Sequence, residues 1–410
     1  MIKIETPGEG DPVRRQGVIR DGLSWHFAGF NRNKRSLTLN LRHEEGREVL
    51  AKLIAGSDVL VENFRPGVLT SMGFDEARLR ALSPDLVYCN ITGFGGSGPY
   101  RDRPSFDFIA QAMSGFMSVT GEPDGPPMRA GPPIGDLLAG IYAALGVCAA
   151  LVRRGRTGRG DTVGASLNNG MISILGFLAA NYFATGEQPP RSGNDHAIVS
   201  PYGMFRTADG EVAIAPSSEA VYFRLLDAIG APELRDHPNF RSNDDRVRNR
   251  RAMDAAIEER LKSGGSAYWI EKLNAAGVPC DRVMALPEVF ADPQTHDQKM
   301  VVSVEHPAMV RSKRSASRSN SARRRAASAA PLPISAPTPT QYCMNSGTHV
   351  RRSPVCAKLG WHESPRAVST SSALCGRAVS GAPQLGAINK LPAAWRRGRL
   401  SRWASAARLR

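Results

Sequence analysis

The stretch Glu44-Glu45-Gly46-Arg47-Glu48-Val49-Leu50-Ala51-Lys52-Leu53-Ile54-Ala55-Gly56-Ser57-Asp58-Val59-Leu60-Val61 sets the architecture. Val49, Leu50, Leu53 and Ile54 recur at the three-to-four spacing of one helix face, so residues 44–55 are predicted to pack one side against a core. Gly56 stops that helix. Val59-Leu60-Val61 then follows as an unbroken apolar run, which suits a buried strand covered on both faces. Helix, stop and buried strand in that order are the parts of a parallel βα sheet.

Further along, Asp85-Leu86-Val87-Tyr88-Cys89-Asn90-Ile91 reads as a second such strand and residues 162–167 as a third. Between them residues 134–152 read as a long apolar helix, with Arg153 and Arg154 at its C-terminal end, where the helix dipole favours cations. Residues 1–188 are therefore expected to form a large α/β domain on a parallel sheet. After Gly186 the texture changes: Pro189-Pro190-Arg191-Ser192-Gly193-Asn194 is linker-like, and residues 204–215 alternate about Asp209-Gly210 as a β-hairpin does. Helical patterns at 220–229, 247–261 and 267–276 precede the extended Gly277-Val278-Pro279-Cys280, giving a smaller α+β domain over 189–285. Residues 286–310 are expected to return to the large domain. From 311 to 410 Ser, Ala, Arg and Pro dominate with no sustained period, the composition of an irregular low-complexity tail.

Charge divides along the same line. The last hundred residues hold 19 Lys and Arg against the single acid Glu363, so they exceed the whole chain's +15 and leave residues 1–310 slightly acidic. A pI near 10.0 ordinarily raises nucleic acid or an anionic membrane as partner. The tail shows neither a long amphipathic basic helix nor interleaving of aromatic platforms with the charge, so no specific nucleic acid and no membrane are expected. The six cysteines include no C-x-x-C pair, and no His stands at ligand spacing, which argues against a disulfide framework or a metal site. The longest apolar runs, 137–152 and 171–184, fall short of the ~18 residues of a membrane span and are expected to be buried helices. Met1-Ile2-Lys3-Ile4-Glu5 is strand-like with no secretory leader pattern, and a cytoplasmic location is expected.

Several short motifs bear on chemistry. Pro132-Pro133-Ile134-Gly135-Asp136 opens a helix, and read locally Asp136 is a helix cap. Asn63 and Phe64 follow a strand at the edge where α/β sheets bind ligands, though a capping amide and a core ring would look the same. Gly93-Phe94-Gly95-Gly96-Ser97-Gly98 fits the dinucleotide fingerprint, but Pro99 and the segment through Pro104 make a loop where that fingerprint needs a helix. Those glycines better suit a backbone loop facing a substrate pocket. His196 stands alone in a loop and reads as structural or solvated. No G-x-S-x-G elbow supports a serine hydrolase.

Taken in order, these blocks resemble the class III CoA-transferases, the family of formyl-CoA and carnitine CoA-transferases. They comprise Ile2-Lys3-Ile4-Glu5, Gly10-Asp11-Pro12, residues 31–39, Asp58 to Gly67, Gly93-Phe94-Gly95 with Gly98-Pro99-Tyr100, Phe106-Asp107, Thr120-Gly121, residues 124–127, Gly135-Asp136 and Thr157-Gly158-Arg159-Gly160. The resemblance implies a Rossmann-like large domain and Asp136 as a nucleophile that passes through an aspartyl-acyl anhydride and an aspartyl-CoA thioester. It implies that Leu39, Asn63, Phe64, Arg65 and Met72 cradle coenzyme A, with Arg35 and Arg65 as phosphate partners. Gly95, Gly96, Phe106, Asp107 and Gly135 would line the substrate pocket. Acyl-CoA and a small carboxylic acid would be the substrates, with no permanently bound cofactor, and the assembly would be an interlocked homodimer. The physics of the position agrees: a helix N-terminus favours an ionised carboxylate, and Gly135 leaves room beside it.

The chain also departs from the family pattern. By that comparison about thirty residues, one βα unit, are missing before Ile2, and the basic tail replaces the family's closing segment. Residues 333–343, rewritten one base out of phase, resemble a stretch near the family's end, so a frameshift near 310 is expected. A chain so altered is expected to be a poor catalyst, and an inactive product stays an alternative. The α-methylacyl-CoA racemases of the same superfamily stay another, although Phe106 stands where their acid-base His would be.

Overall fold

The computed structural model describes residues 1–306 and 309–315. The chain opens with β1 (Ile2–Glu5), passes through the short strands β2 (Ile19–Arg20) and β3 (Leu23–Ser24) and helix α1 (Trp25–Phe30), and returns as β4 (Arg35–Thr38). β1 and β4 pair in parallel, Ile2 opposite Arg35 and Glu5 opposite Thr38. Burial pushes the Glu5 carboxyl up, but hydrogen bonds from Arg14, Ser36 and the Asp11 N–H outweigh it and hold the group at about 2.

Next come α2 (Glu44–Ala55), β5 (Val59–Glu62), α3 (Val68–Ser71), α4 (Glu76–Leu82) and β6 (Val87–Thr92). They are followed by α5 (Asp107–Met113), α6 (Ile134–Thr157), β7 (Thr162–Ser166), α7 (Leu167–Ser173) and α8 (Phe177–Thr185). β5, β6 and β7 form the predicted parallel sheet in that order. Alternate residues point to opposite faces. Leu60 and Tyr88 pack with Leu50, Ile54, Leu79 and Leu86 beneath α2 and α4, whereas Cys89, Val163 and Ala165 pack with Ala143 and Val147 of α6. Val61, expected to be buried, is exposed, because α6 lies over β6 and β7 while β5 is the edge strand.

α6 has 24 residues and is long and apolar enough, by length and composition, to cross a membrane. It lies along the sheet on a seam of small residues, Ala139, Ala143, Gly146 and Ala150. A side chain at Gly146 would begin 2.6 Å from Val163 Cγ1, so the close approach requires glycine there. The large side chains face away: Ile141 is 62 % and Leu145 64 % exposed. Residues 171–184, also expected as a buried helix, divide between α7 and α8, and Phe183 is 83 % exposed. Both expectations of burial hold only in part, since Met171 and the small residues of α6 are buried while the outer faces are open. Apolar composition marks surface that prefers to leave water, but the sheet of this chain needs only the small-residue seam.

β8 (Gly203–Arg206) and β9 (Glu211–Ile214) form the predicted hairpin, closed by a bond from Thr207 N–H to Gly210 O of 2.9 Å. α9 (Glu219–Ile229), α10 (Asn243–Arg248), α11 (Arg250–Leu261) and α12 (Ser266–Ala275) follow, and β10 (Cys280–Asp281) adds antiparallel to β9. The run 247–261, predicted as one helix, breaks at Asn249, whose side-chain amide donates to Asp245 O at 2.9 Å. Phe205, Ile214, Leu225, Leu226, Met253, Ile257 and Trp269 are all buried in one cluster. Beyond it lie α13 (Leu286–Ala291), α14 (Pro293–Asp297) and the antiparallel pair β11 (Val301–His306) and β12 (Met309–Ser315). β12 runs past residue 310, where irregular sequence was expected to begin, because its pairing comes from β11 and not from a local period. The remainder of the expected tail, with the stretch 333–343, lies outside the described residues.

Candidate active site

α6 runs antiparallel to the strands it covers. Near its C-terminus Arg154 bonds Asp58 Oδ1 (2.8 Å) and approaches Asp85, both just ahead of β5 and β6. Its N-terminus therefore lies at the carboxyl edge of the sheet, the edge at which ligands bind in this architecture. Two more elements meet there. The loop after β6 is tied to the start of α7 by Asn168 N–H to Gly93 O (3.0 Å), and α5 starts at the far end of that loop.

Asp136 is the third residue of α6, exposed, and has no hydrogen-bond or ion-pair partner among the described residues. It does not cap the helix. That work falls to Asp107, the buried first residue of α5, whose Oδ1 accepts the Gly135 N–H at 2.8 Å. Its other oxygen accepts from Gln111 Nε2 (2.8 Å), and Gln111 Oε1 accepts the Ala130 N–H (2.8 Å). Neighbouring atoms desolvate the Asp136 carboxyl, and the charge of Asp107 adds to the effect, so its pKa lies above the usual carboxylate value. The expectation that the helix terminus leaves this group readily ionised is corrected in direction. The role expected of Gly135 is corrected as well: a Cβ there would meet Asp107 Oδ1 at 3.2 Å, Met171 at 3.5 Å and Ala110 at 3.6 Å. Gly135 gives room to the protein's own interior, not to a substrate. Asp107, expected to line the pocket, is turned into the same interior.

The other expected residues divide into two groups. Gly95, whose N–H bonds Thr92 Oγ1 (2.9 Å), and Gly96 lie in an open loop at the carboxyl edge. No helix follows that loop before α5, as the rejected dinucleotide reading requires. Phe106 is 82 % exposed immediately ahead of α5. Asn63, Phe64 and Arg65 are exposed just beyond β5, and the Phe64 N–H bonds Glu62 Oε2 at 2.6 Å. Leu39 and Met72 are not brought to that edge as a pair: Leu39 is buried with Leu37 and Leu53, and Met72 packs against the cluster beneath α2 and α4. Met72 also lines a shallow groove of about 410 Å³ with Arg47, Lys52, Phe74 and Arg78. Asp136 does not line that groove, which lies on the α2 side of the sheet, away from α6.

His196 is packed between Phe177 (5.3 Å, stacked) and Tyr202 (4.9 Å), as a structural histidine would be. Burial and the nearby Arg250 charge lower its pKa. Sequence reasoning overlooked the bridging role of Gln111. It also overlooked Asp254, which burial and the charge of Asp195 push up to about 7. Gln111 lies one helical turn beyond Asp107, a weak signal; nothing local marks Asp254.

Residues 1–333 match the family model described as CoA-transferase family III. The chain is 38 % identical over 302 residues to the acetyl-CoA:oxalate CoA-transferase of Acetobacter aceti, covering 73 % of this chain and 78 % of that protein. It is 33 % identical over 310 residues to the succinyl-CoA:glutarate CoA-transferase of Homo sapiens, covering 75 % and 71 %. Among solved structures it is similar to a CaiB/BaiF family protein from Brucella suis, with a TM-score of 0.66 and 38 % identity over 78 % of this chain and 85 % of that one.

Proposed function

The chain belongs to CoA-transferase family III, and from that premise we propose that it moves coenzyme A from an acyl-CoA to a small carboxylic acid through Asp136. The observation that carries this reading is a carboxylate without a partner on the first turn of α6, at the carboxyl edge of the parallel sheet where the open glycine loop also lies. An oxygen of Asp136 attacks the thioester carbonyl carbon, the C–S bond breaks, and an aspartyl-acyl anhydride and CoA thiolate result. The thiolate attacks the Asp136 carbonyl carbon, releases the donor acid and leaves an aspartyl-CoA thioester. The acceptor carboxylate attacks the aspartyl-CoA thioester carbonyl and expels CoA thiolate to form a second mixed anhydride. The thiolate then attacks the acceptor's carbonyl and releases the new acyl-CoA and the free Asp136 carboxylate, so no proton or redox equivalent is consumed. Coenzyme A is a substrate throughout, with no resident cofactor. The raised pKa of Asp136 makes its carboxylate the stronger nucleophile once ionised.

Asn63, Phe64 and Arg65 would meet the nucleotide end of coenzyme A. Phe106 has no proton to exchange, which favours transfer over racemisation. The exposed Ile141 and Leu145 on α6 and Phe183 on α8 support a homodimer that covers them. Residues 1–188 would bind coenzyme A and 189–285 form the smaller domain. The free thiols of Cys89, Cys148 and Cys280 suit a cytoplasmic enzyme. Oxalate and glutarate, the acids named for the two relatives, are the first acceptors to try.

The test is to incubate the full chain with acetyl-CoA or succinyl-CoA and hydroxylamine and to locate the hydroxamate by mass spectrometry. It is expected on Asp136, with turnover lost in Asp136→Ala. A hydroxamate elsewhere, or full turnover in the variant, overturns the reading.

A further inference from the structure

We infer that Asp107, through its bonds to Gly135 and Gln111, is the positioning residue that aims Asp136 at the thioester and tunes its readiness to attack. The inference rests on the proposal that Asp136 is the nucleophile. Three bonds of 2.8 Å tie α5 to the segment that enters α6: Gly135 N–H to Asp107, Gln111 to Asp107, and Ala130 N–H to Gln111. Ala130 and Gly135 bracket the segment that leads into α6, so the network fixes both the entry of the chain and its first turn. Asp107 and Gln111 are both buried, and each of their side-chain polar atoms in this network has a partner, which gives it one arrangement. Asp136 adjoins Gly135, so its own direction is set by that bond while its side chain stays free.

The same carboxylate is the neighbouring charge that acts on Asp136. α5 carries no titratable residue besides Asp107, and α7 carries none. Arg129, in the segment ahead of α6, spends its guanidinium on the carbonyls of Ala130 and Gly131. Among the described residues no cation offsets Asp107 in setting the upward shift of Asp136.

The hydrogen bonds and the charge can be separated. In Asp107→Ala both bonds are lost, and kcat is expected to fall about 100-fold with KM nearly unchanged, the usual result of a misplaced reacting group. In the double variant Asp107→Asn with Gln111→Glu, the asparagine oxygen still accepts Gly135 N–H, its amide donates to the new carboxylate, and that carboxylate accepts Ala130 N–H. The charge moves one helical turn away. This variant is expected to recover most of the lost kcat, with the acid limb of kcat/KM shifted to lower pH as Asp136 loses its close negative neighbour. A hydroxamate on Asp136 of the parent chain is checked first, since its absence refutes the nucleophile itself and not the network. With that hydroxamate present, an Asp107→Ala enzyme within about threefold of the parent kcat overturns the positioning role. If Asp107→Ala does not fold, the double variant decides: an unshifted acid limb overturns the tuning role, and an unrecovered kcat in a folded protein overturns the positioning role.

Discussion

The parallel sheet with α6 and the hairpin unit of residues 203–281 put their apolar side chains to opposite uses. Around the hairpin, most large residues point inward: Tyr222, Leu225, Leu226, Met253, Ile257 and Trp269 close a core, and only Phe223 and Tyr268 among the large apolar side chains of residues 203–281 stay exposed. On α6 the small residues point inward and Ile141 and Leu145 point out. The hairpin core is closed by its own elements, whereas α6 carries apolar surface that no described residue covers. Apolar content alone therefore says how much will be buried, but not by what.

The contrast can be broken most forcefully at Trp269, whose indole N–H bonds Leu261 O at 2.7 Å. Trp269→Ala is expected to cost about 3–5 kcal/mol in urea unfolding, since it leaves both a cavity and an orphaned carbonyl. A loss under 1 kcal/mol would mean that this core is less closed than described. Besides Arg235 Nε and Arg250 Nη1, the closed unit leaves one carboxylate oxygen buried without a partner, Oδ1 of Asp254. Its pKa is raised from 3.8 to about 7, so the folded state holds the proton more tightly than the unfolded chain. Stability should then fall as pH rises from about 4 to about 7 and level off above that. Asp254→Asn should gain on the order of 1–2 kcal/mol at pH 8 and nothing near pH 4. Melting curves at the two pH values check this; an equal effect at both would refute it. The smallest effect is expected on α6. Replacing Ile141 and Leu145 by Ser should change subunit stability by about 0.5 kcal/mol or less but remove any dependence of Tm on protein concentration. A loss of several kcal/mol in a monomer would show these residues to be core after all.

Much of this could be read from local pattern. The 44–61 helix and strand rest on periodicity and a glycine stop, and the hairpin rests on Asp209-Gly210; both are short-range signals. Asp136 stood out only because the Gly-Asp pair opens an apolar helix within a familiar series of blocks. The bond between Gly135 and Asp107 was out of reach, because it spans 28 residues. The break at Asn249 depends on one side-chain bond that propensity does not rank. The outward face of α6 depends on what covers it, and β12 depends on β11; in both cases the deciding partner is remote in sequence or absent from the chain.

α6 is also a measured length. Arg154 holds one end against Asp58 and Asp85, and Asp107 holds the other through Gly135, with 18 residue steps, or about 27 Å of rigid rod, from Asp136 to Arg154. A helix turns by about 100° per residue, so the two anchors fix phase as well as distance. Adding or removing one residue between them would shift Asp136 by only ~1.5 Å along the rod yet swing it a quarter turn or more around it, away from the sheet edge. The interior of α6 is thus constrained in its count of residues more tightly than in their identity.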